Sequence, residues 1–203
     1  MWKTISYLFH PVLMPTIGIL IVMVFDPFVF MSLDGILPWF ILLSSIFICT
    51  GVLPMFFSWI LLKMERISSL TNPTDSDRKQ LIAFTELCFI LGYYAVHNIP
   101  MVGRSLSCFM MGINIAMIIT LITSMFTKVS LHAVGIGGVL GTAIGLMYYT
   151  RIPIYPVIAS SIVLVLIVDY ARYKLQAHNA ADIYLGNIIG ITCTALVFMA
   201  YAR

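Results

Sequence analysis

Apolar residues fill this chain in long runs, each about as long as a bilayer is thick, and the polar residues gather in short stretches between them. A ruler of about 20 residues per membrane-spanning helix picks out seven segments, at 8–30, 36–62, 81–97, 105–126, 131–149, 153–170 and 182–201. The first is interrupted by Pro11, Pro15 and Asp26, and read as a tilted or re-entrant element it leaves six full spans. In lipid only a helix or a closed barrel satisfies its own backbone. Segments of this length therefore predict an all-α, polytopic transmembrane helix bundle of six to seven spanning helices, organised as a single integral membrane domain over residues 1–203.

Composition supports the pattern. Of 203 residues, 61% are hydrophobic and only 9% charged, whereas a soluble domain carries about 25% charged residues. The net charge of +3 comes from Lys and Arg scattered along the chain, so no nucleic-acid partner is expected. Cys49, Cys88, Cys108 and Cys193 all lie inside apolar runs without CxxC or metal-ligand spacing, which suits helix packing. No small-x-small pattern follows the apolar stretch after Lys3, so no cleaved signal peptide is expected. The longest polar stretch, about 63–79, is too short for a soluble domain.

Counting spans sorts the connections. The N-terminus and the loops at 63–79, 127–131 and 171–181 fall on one face, A; the turns at 31–35, 98–104 and 150–152 and the C-terminus fall on the other, B. Face A then holds Lys3, Lys63, Arg66, Arg78, Lys79, Lys128, Arg172 and Lys174, against Arg104, Arg151 and Arg203 on face B. The excess of basic residues would make face A cytoplasmic. If Arg78, Lys79, Lys128, Arg172 and Lys174 form a functional cluster, the remaining count is three against three.

Two stretches of face A carry candidate chemistry. His178 and Asp182 are four residues apart, which on a helix places them on one face. There the carboxylate would hold one imidazole nitrogen and leave the other free as a nucleophile or base. Arg172, in the loop before that helix, has a planar fork suited to a pair of anionic oxygens. The other stretch is Lys128-Val129-Ser130-Leu131-His132, leading into a glycine-rich run to Gly145. Ser130 stands where it would cap a helix starting near Leu131, and the free amides there favour an anion. His132 could protonate a leaving group, and Lys128 adds positive charge beside it. Blander roles compete: His10 and His97 read as interfacial histidines, Lys174 as a snorkelling lysine, Asp77-Arg78-Lys79 as a solvated helix start, and Asp169 as a water-facing helix end.

Arg172-x5-His178-x3-Asp182 resembles the third signature of the type 2 phosphatidic acid phosphatase superfamily, Ser-Arg-x5-His-x3-Asp, with Ala171 in place of the Ser. Val129-Ser130-Leu131-His132 resembles the second, Pro-Ser-Gly-His, with Ser and His kept; two helices separate the pair, as in the family. The first signature, Lys-x6-Arg-Pro, departs: counting from Lys79 puts Glu86 at the Arg position and no Pro follows. The resemblance covers about 128–190. It implies a metal-independent, cofactor-free membrane lipid phosphatase. His178 would form a phosphohistidine, Asp182 would orient it, and His132 would protonate the leaving lipid oxygen. Arg172, Ser130, Lys128 and, in place of the first signature, Arg78 and Lys79 would hold the phosphate. The implied partner is a lipid phosphate in the bilayer: a prenyl diphosphate, a phosphatidic acid-type lipid or lipid A. The implied location is the bacterial inner membrane with the site facing the periplasm. Two other readings fit the residues: a lipid-binding protein or small transporter that kept the fold without the chemistry, for which Glu86 would suit an ion path, and a lipid phosphotransferase using an alcohol in place of water.

Overall fold

The computed structural model describes residues 2–31, 36–69, 73–99 and 103–202. Positions 32–35 of the turn expected at 31–35, parts of the 63–79 and 98–104 connections, and Arg203 on face B lie outside the described residues. The described chain is a helix bundle in which seven helical stretches are long and apolar enough to cross a membrane, as an integral membrane protein requires.

The first stretch, Trp2–Phe25, is a broken one. Helix α1 (Trp2–Leu8) stops at His10, whose backbone is extended (ψ 139°) ahead of Pro11, as a residue before proline prefers. A 3-10 turn at Pro11–Leu13 leads into α2 (Met14–Phe25). Expected to run through 8–30, the segment instead ends at Asp26. The Asp26 carboxylate accepts from the Phe28 amide at 3.0 Å and turns the chain into a short α3 (Pro27–Met31). The second stretch holds α4 (Ile36–Phe47) and α5 (Leu53–Lys63), joined by a π turn at Ile48–Val52. Pro54 lacks an N–H and crowds the carbonyl four residues back, and the wider turn absorbs both defects.

Then come α6 (Asp75–His97), α7 (Arg104–Thr123), α8 (Leu131–Thr150), α9 (Tyr155–Lys174) and α10 (Ala180–Tyr201). Helix α6 starts six residues earlier than the apolar pattern suggested because Thr74 and Asp77 close a capping box, satisfying its first free amides. Helix α9 likewise runs on to Lys174, so Arg172 sits in its last turn and not in a loop.

Helices α7, α8 and α10 form the enclosed centre, and α9 is the most exposed span. Helices α8 and α10 meet through small residues: a Cβ on Gly190 would run into the backbone of Val134 and Gly138, and one on Gly186 would lie 2.7 Å from the Ser130 carbonyl. Between lipid-embedded helices, packing and hydrogen bonds replace the hydrophobic drive, so backbones that approach this closely hold the pair together. The Thr194 hydroxyl adds a hydrogen bond to the Gly138 carbonyl at 3.1 Å. This contact draws the start of α10 against the start of α8, where the candidate chemistry lies.

Candidate functional site

The chain brings residues from α1, α6, α8, α9 and α10 together at one end of the bundle, the end that span counting assigns to face A. Its frame is two helix N-termini. Ser130, fully buried, caps α8: its hydroxyl faces the Ala133 amide at a long 3.5 Å, and its own amide donates to the Asp182 carbonyl at 3.1 Å. Asn179 caps α10 by a reciprocal box, Asp182 amide to Asn179 Oδ1 at 2.8 Å and Asn179 amide to Asp182 Oδ2 at 3.4 Å. Negative charge on Asp182 in that first turn also suits the helix dipole.

The same box corrects the expected relation between His178 and Asp182. His178 precedes the helix and is not on its face. The carboxylate reaches back, and His178 Nδ1 donates to Asp182 Oδ2 at 3.2 Å, with both side chains over nine-tenths buried. Because the carboxylate accepts, the Nδ1 proton is fixed there. No hydrogen bond among the described residues engages Nε2. Burial, together with the Arg78 and Arg172 guanidiniums, pushes the His178 imidazole below its ordinary value of 6.5, and the Asp182 carboxylate opposes this. A neutral imidazole with a free nitrogen is a competent nucleophile. An open groove of about 410 Å³ reaches it, lined by Tyr173, Lys174, Gln176, His178 and Asn179.

Three other groups converge nearby. Arg78, on the first turns of α6, donates to the Val129 carbonyl at 2.8 Å, which anchors it beside the α8 cap. Arg172 donates through Nη1 to the Ser6 hydroxyl at 2.9 Å, while its Nε is buried with no partner among the described residues. His132, on the first turn of α8, places Nε2 3.2 Å from Ser6 Oγ and 3.1 Å from the Ser6 carbonyl. A carbonyl oxygen only accepts, so Nε2 carries the proton. The result is two cations, one imidazole that donates and another with an open nitrogen, in a partly buried place where hydrogen bonds to charge are strong.

Two expected members stand elsewhere. Lys128 is exposed and pairs with the equally exposed Asp75 at 3.6 Å, a solvated contact of little energetic weight. Lys79 follows Arg78 on α6 but makes no hydrogen bond or ion pair to the group among the described residues. Asp169 does not face water: its Oδ2 accepts from Asn187 Nδ2 on α10 at 2.6 Å.

Sequence reasoning missed Ser6 altogether and assigned His10 to the interface. His10 caps the 3-10 turn, accepting from the Val12 amide at 3.4 Å, and its ring stands edge-on to His132 with centroids 5.7 Å apart. The Pro11 break was the available signal, since it ends α1 at the level of the site. Nothing marked Ser6, a small residue in an apolar helix. No protein-family model, curated protein or solved structure matches the chain.

Proposed function

We propose that this protein is a membrane lipid phosphatase working through a phosphohistidine. The observation that supports it is the gathering of Arg78, Arg172, His132 and the His178–Asp182 pair, carried by α6, α9, α8 and the start of α10, at one end of the bundle, where the guanidiniums act on a His178 imidazole whose Nε2 has no hydrogen bond among the described residues. Apart from Arg78, which stands in for the first signature, these are the residues the signature resemblance selects, and their donors suit the equatorial oxygens of a phosphoryl group.

The lipid phosphate enters with its oxygens on Arg172 and Arg78. His178 Nε2 attacks phosphorus while the bond to the lipid oxygen breaks. His132, charged once the phosphate dianion neighbours it, passes its Nε2 proton to the leaving oxygen. The alcohol or shorter phosphate departs, leaving a P–N bond on His178. Water, giving a proton back to His132, then attacks phosphorus and releases inorganic phosphate. Asp182 holds His178 in the tautomer that keeps Nε2 unprotonated. The positive charge comes from guanidiniums, so the activity is expected to withstand EDTA. The signature resemblance favours a prenyl diphosphate or a simple phosphatidate as substrate, at the periplasmic face of a bacterial inner membrane.

The test is phosphate release by the detergent-purified protein from a panel of lipid phosphates in EDTA, with His178→Ala as control. Release that withstands EDTA and vanishes in the variant supports the proposal, and phosphate transferred to an added alcohol would turn it into a phosphotransferase. No release from any lipid, or release unchanged by the substitution, refutes it.

A further inference from the structure

The Ser6 contacts have an unusual polarity. Arg172 Nη1 donates to Ser6 Oγ at 2.9 Å, and His132 Nε2 donates toward Ser6 O at 3.1 Å with Ser6 Oγ at 3.2 Å. Thus a guanidinium and an imidazole, from two helices, aim their N–H groups at two oxygens of one residue about 126 positions from His132 and 166 from Arg172 in sequence. A phosphate presents the same pair of acceptors, with charge added. Arg172 Nε, buried and unpartnered among the described residues, offers a further donor that Ser6 does not use.

The element that carries Ser6 is lightly held. Helix α1 is seven residues long and lies on α9, with Trp2 edge-on to the Tyr170 ring at 5.1 Å. Tyr7 and Leu8 are 72% and 64% exposed. A helix this short has little stability of its own. It joins α2 through the His10-capped turn at Pro11–Leu13, so the helical ladder is interrupted between α1 and the rest of the first span.

We propose that the two Ser6 oxygens stand in for substrate phosphate oxygens, and that α1 is a displaceable plug in the phosphate subsite. This rests on the phosphatase reading, because it takes Arg172 and His132 to be phosphate ligands. In the resting protein Ser6 satisfies both donors and keeps water from the subsite. An incoming phosphate, more strongly bound because it is charged, takes the same donors and α1 moves off. Apparent affinity is then the intrinsic affinity reduced by the fraction of molecules with α1 displaced.

The experiment uses the full chain in detergent with inorganic phosphate as probe. Calorimetry gives the affinity for wild type, Ser6→Ala, Trp2→Ala and Arg172→Gln. Hydrogen exchange follows the amides of residues 2–8 with and without phosphate. A plug predicts about 3–10-fold tighter phosphate binding in Ser6→Ala and in Trp2→Ala, which loosens α1 without touching the subsite. It also predicts faster exchange in α1 when phosphate is present and loss of binding in Arg172→Gln. Equal or weaker binding in both α1 variants, or slower exchange with phosphate, would overturn the plug and leave the phosphate site standing with α1 as its wall. No phosphate binding by wild type or either α1 variant would remove the phosphatase reading as well.

Discussion

Replacing Asp182 by Asn separates the chemical role of this residue from its structural one. The Asp182 side chain accepts from the Asn179 amide at 3.4 Å and from His178 Nδ1 at 3.2 Å, while its backbone carbonyl and amide hold Ser130 and Asn179. Both of those side-chain contacts fall on Oδ2, so an Asn whose NH2 faces Nδ1 gives up the Asn179 amide as well, but its backbone contacts remain and Asn179 Oδ1 still caps the residue-182 amide. Losing a full cap costs about 1 kcal/mol, and the shift in stability should stay under that. The effect on His178 is larger. An amide NH2 turned toward Nδ1 donates where the carboxylate accepted, which moves the ring proton to Nε2 and removes the nucleophile. Loss of a tautomer-fixing carboxylate lowers turnover on the order of 10³–10⁴-fold. Thermal unfolding and steady-state phosphate release on the same preparation check both numbers. A variant with turnover within about 10-fold of wild type, or one that loses activity only in proportion to unfolding, would refute the assignment of His178 as an Asp182-oriented nucleophile.

Further outcomes follow from the same geometry. The neutral form of His178 attacks, and burial with Arg78 and Arg172 disfavours its protonated form. The acid limb of kcat/KM should therefore lie below 6.5, and Arg78→Gln should move it upward even as the rate falls; a limb at or above 6.5 in wild type contradicts this. The same sign governs stability. The unfolded chain takes the His178 proton first, so this group contributes nothing above about pH 6.5 and destabilises the fold as pH falls below it. Gly190→Ala, whose Cβ would meet the Val134 and Gly138 backbone, should cost about 1–3 kcal/mol in detergent unfolding, and an unchanged midpoint would disprove the α8–α10 contact. Lys128→Ala should leave stability within about 0.5 kcal/mol and kcat/KM unchanged, since its pair with Asp75 is solvated. Glu86, 5% exposed with neither oxygen partnered among the described residues, should tolerate Glu86→Gln with equal or higher thermal stability; a fall of several degrees would reveal a partner for its charge.

The spans were legible because twenty apolar residues in a row leave a chain few alternatives. Their ends were less so. The α6 start at Asp75 depends on Thr74 and Asp77 capping each other, which hydropathy does not register, and the α9 end at Lys174 carries charges that read as loop. The convergence of Arg78, Arg172, His132 and His178 could be expected from span parity and motif spacing. Its geometry could not: His178 meets Asp182 through a capping box rather than along a helix face, and Ser130 is buried as a cap. Lys79 and Lys128 share the face with the site without joining it, since counting spans fixes the side of a bilayer and not the direction of a side chain. Ser6 and His10 escaped because their proximity depends on a proline-broken first span folding back over α9, a tertiary fact with no local periodicity.

The covalent intermediate tests the account most directly. Purified protein is mixed with a lipid whose terminal phosphate is radiolabelled, quenched in denaturant within the first turnover, and the label mapped. The account expects an acid-labile, base-stable phosphate on His178, absent from His178→Ala and longer-lived in His132→Ala, where water lacks its base. Turnover of the lipid without label on the protein, or label on a residue other than His178, would contradict it.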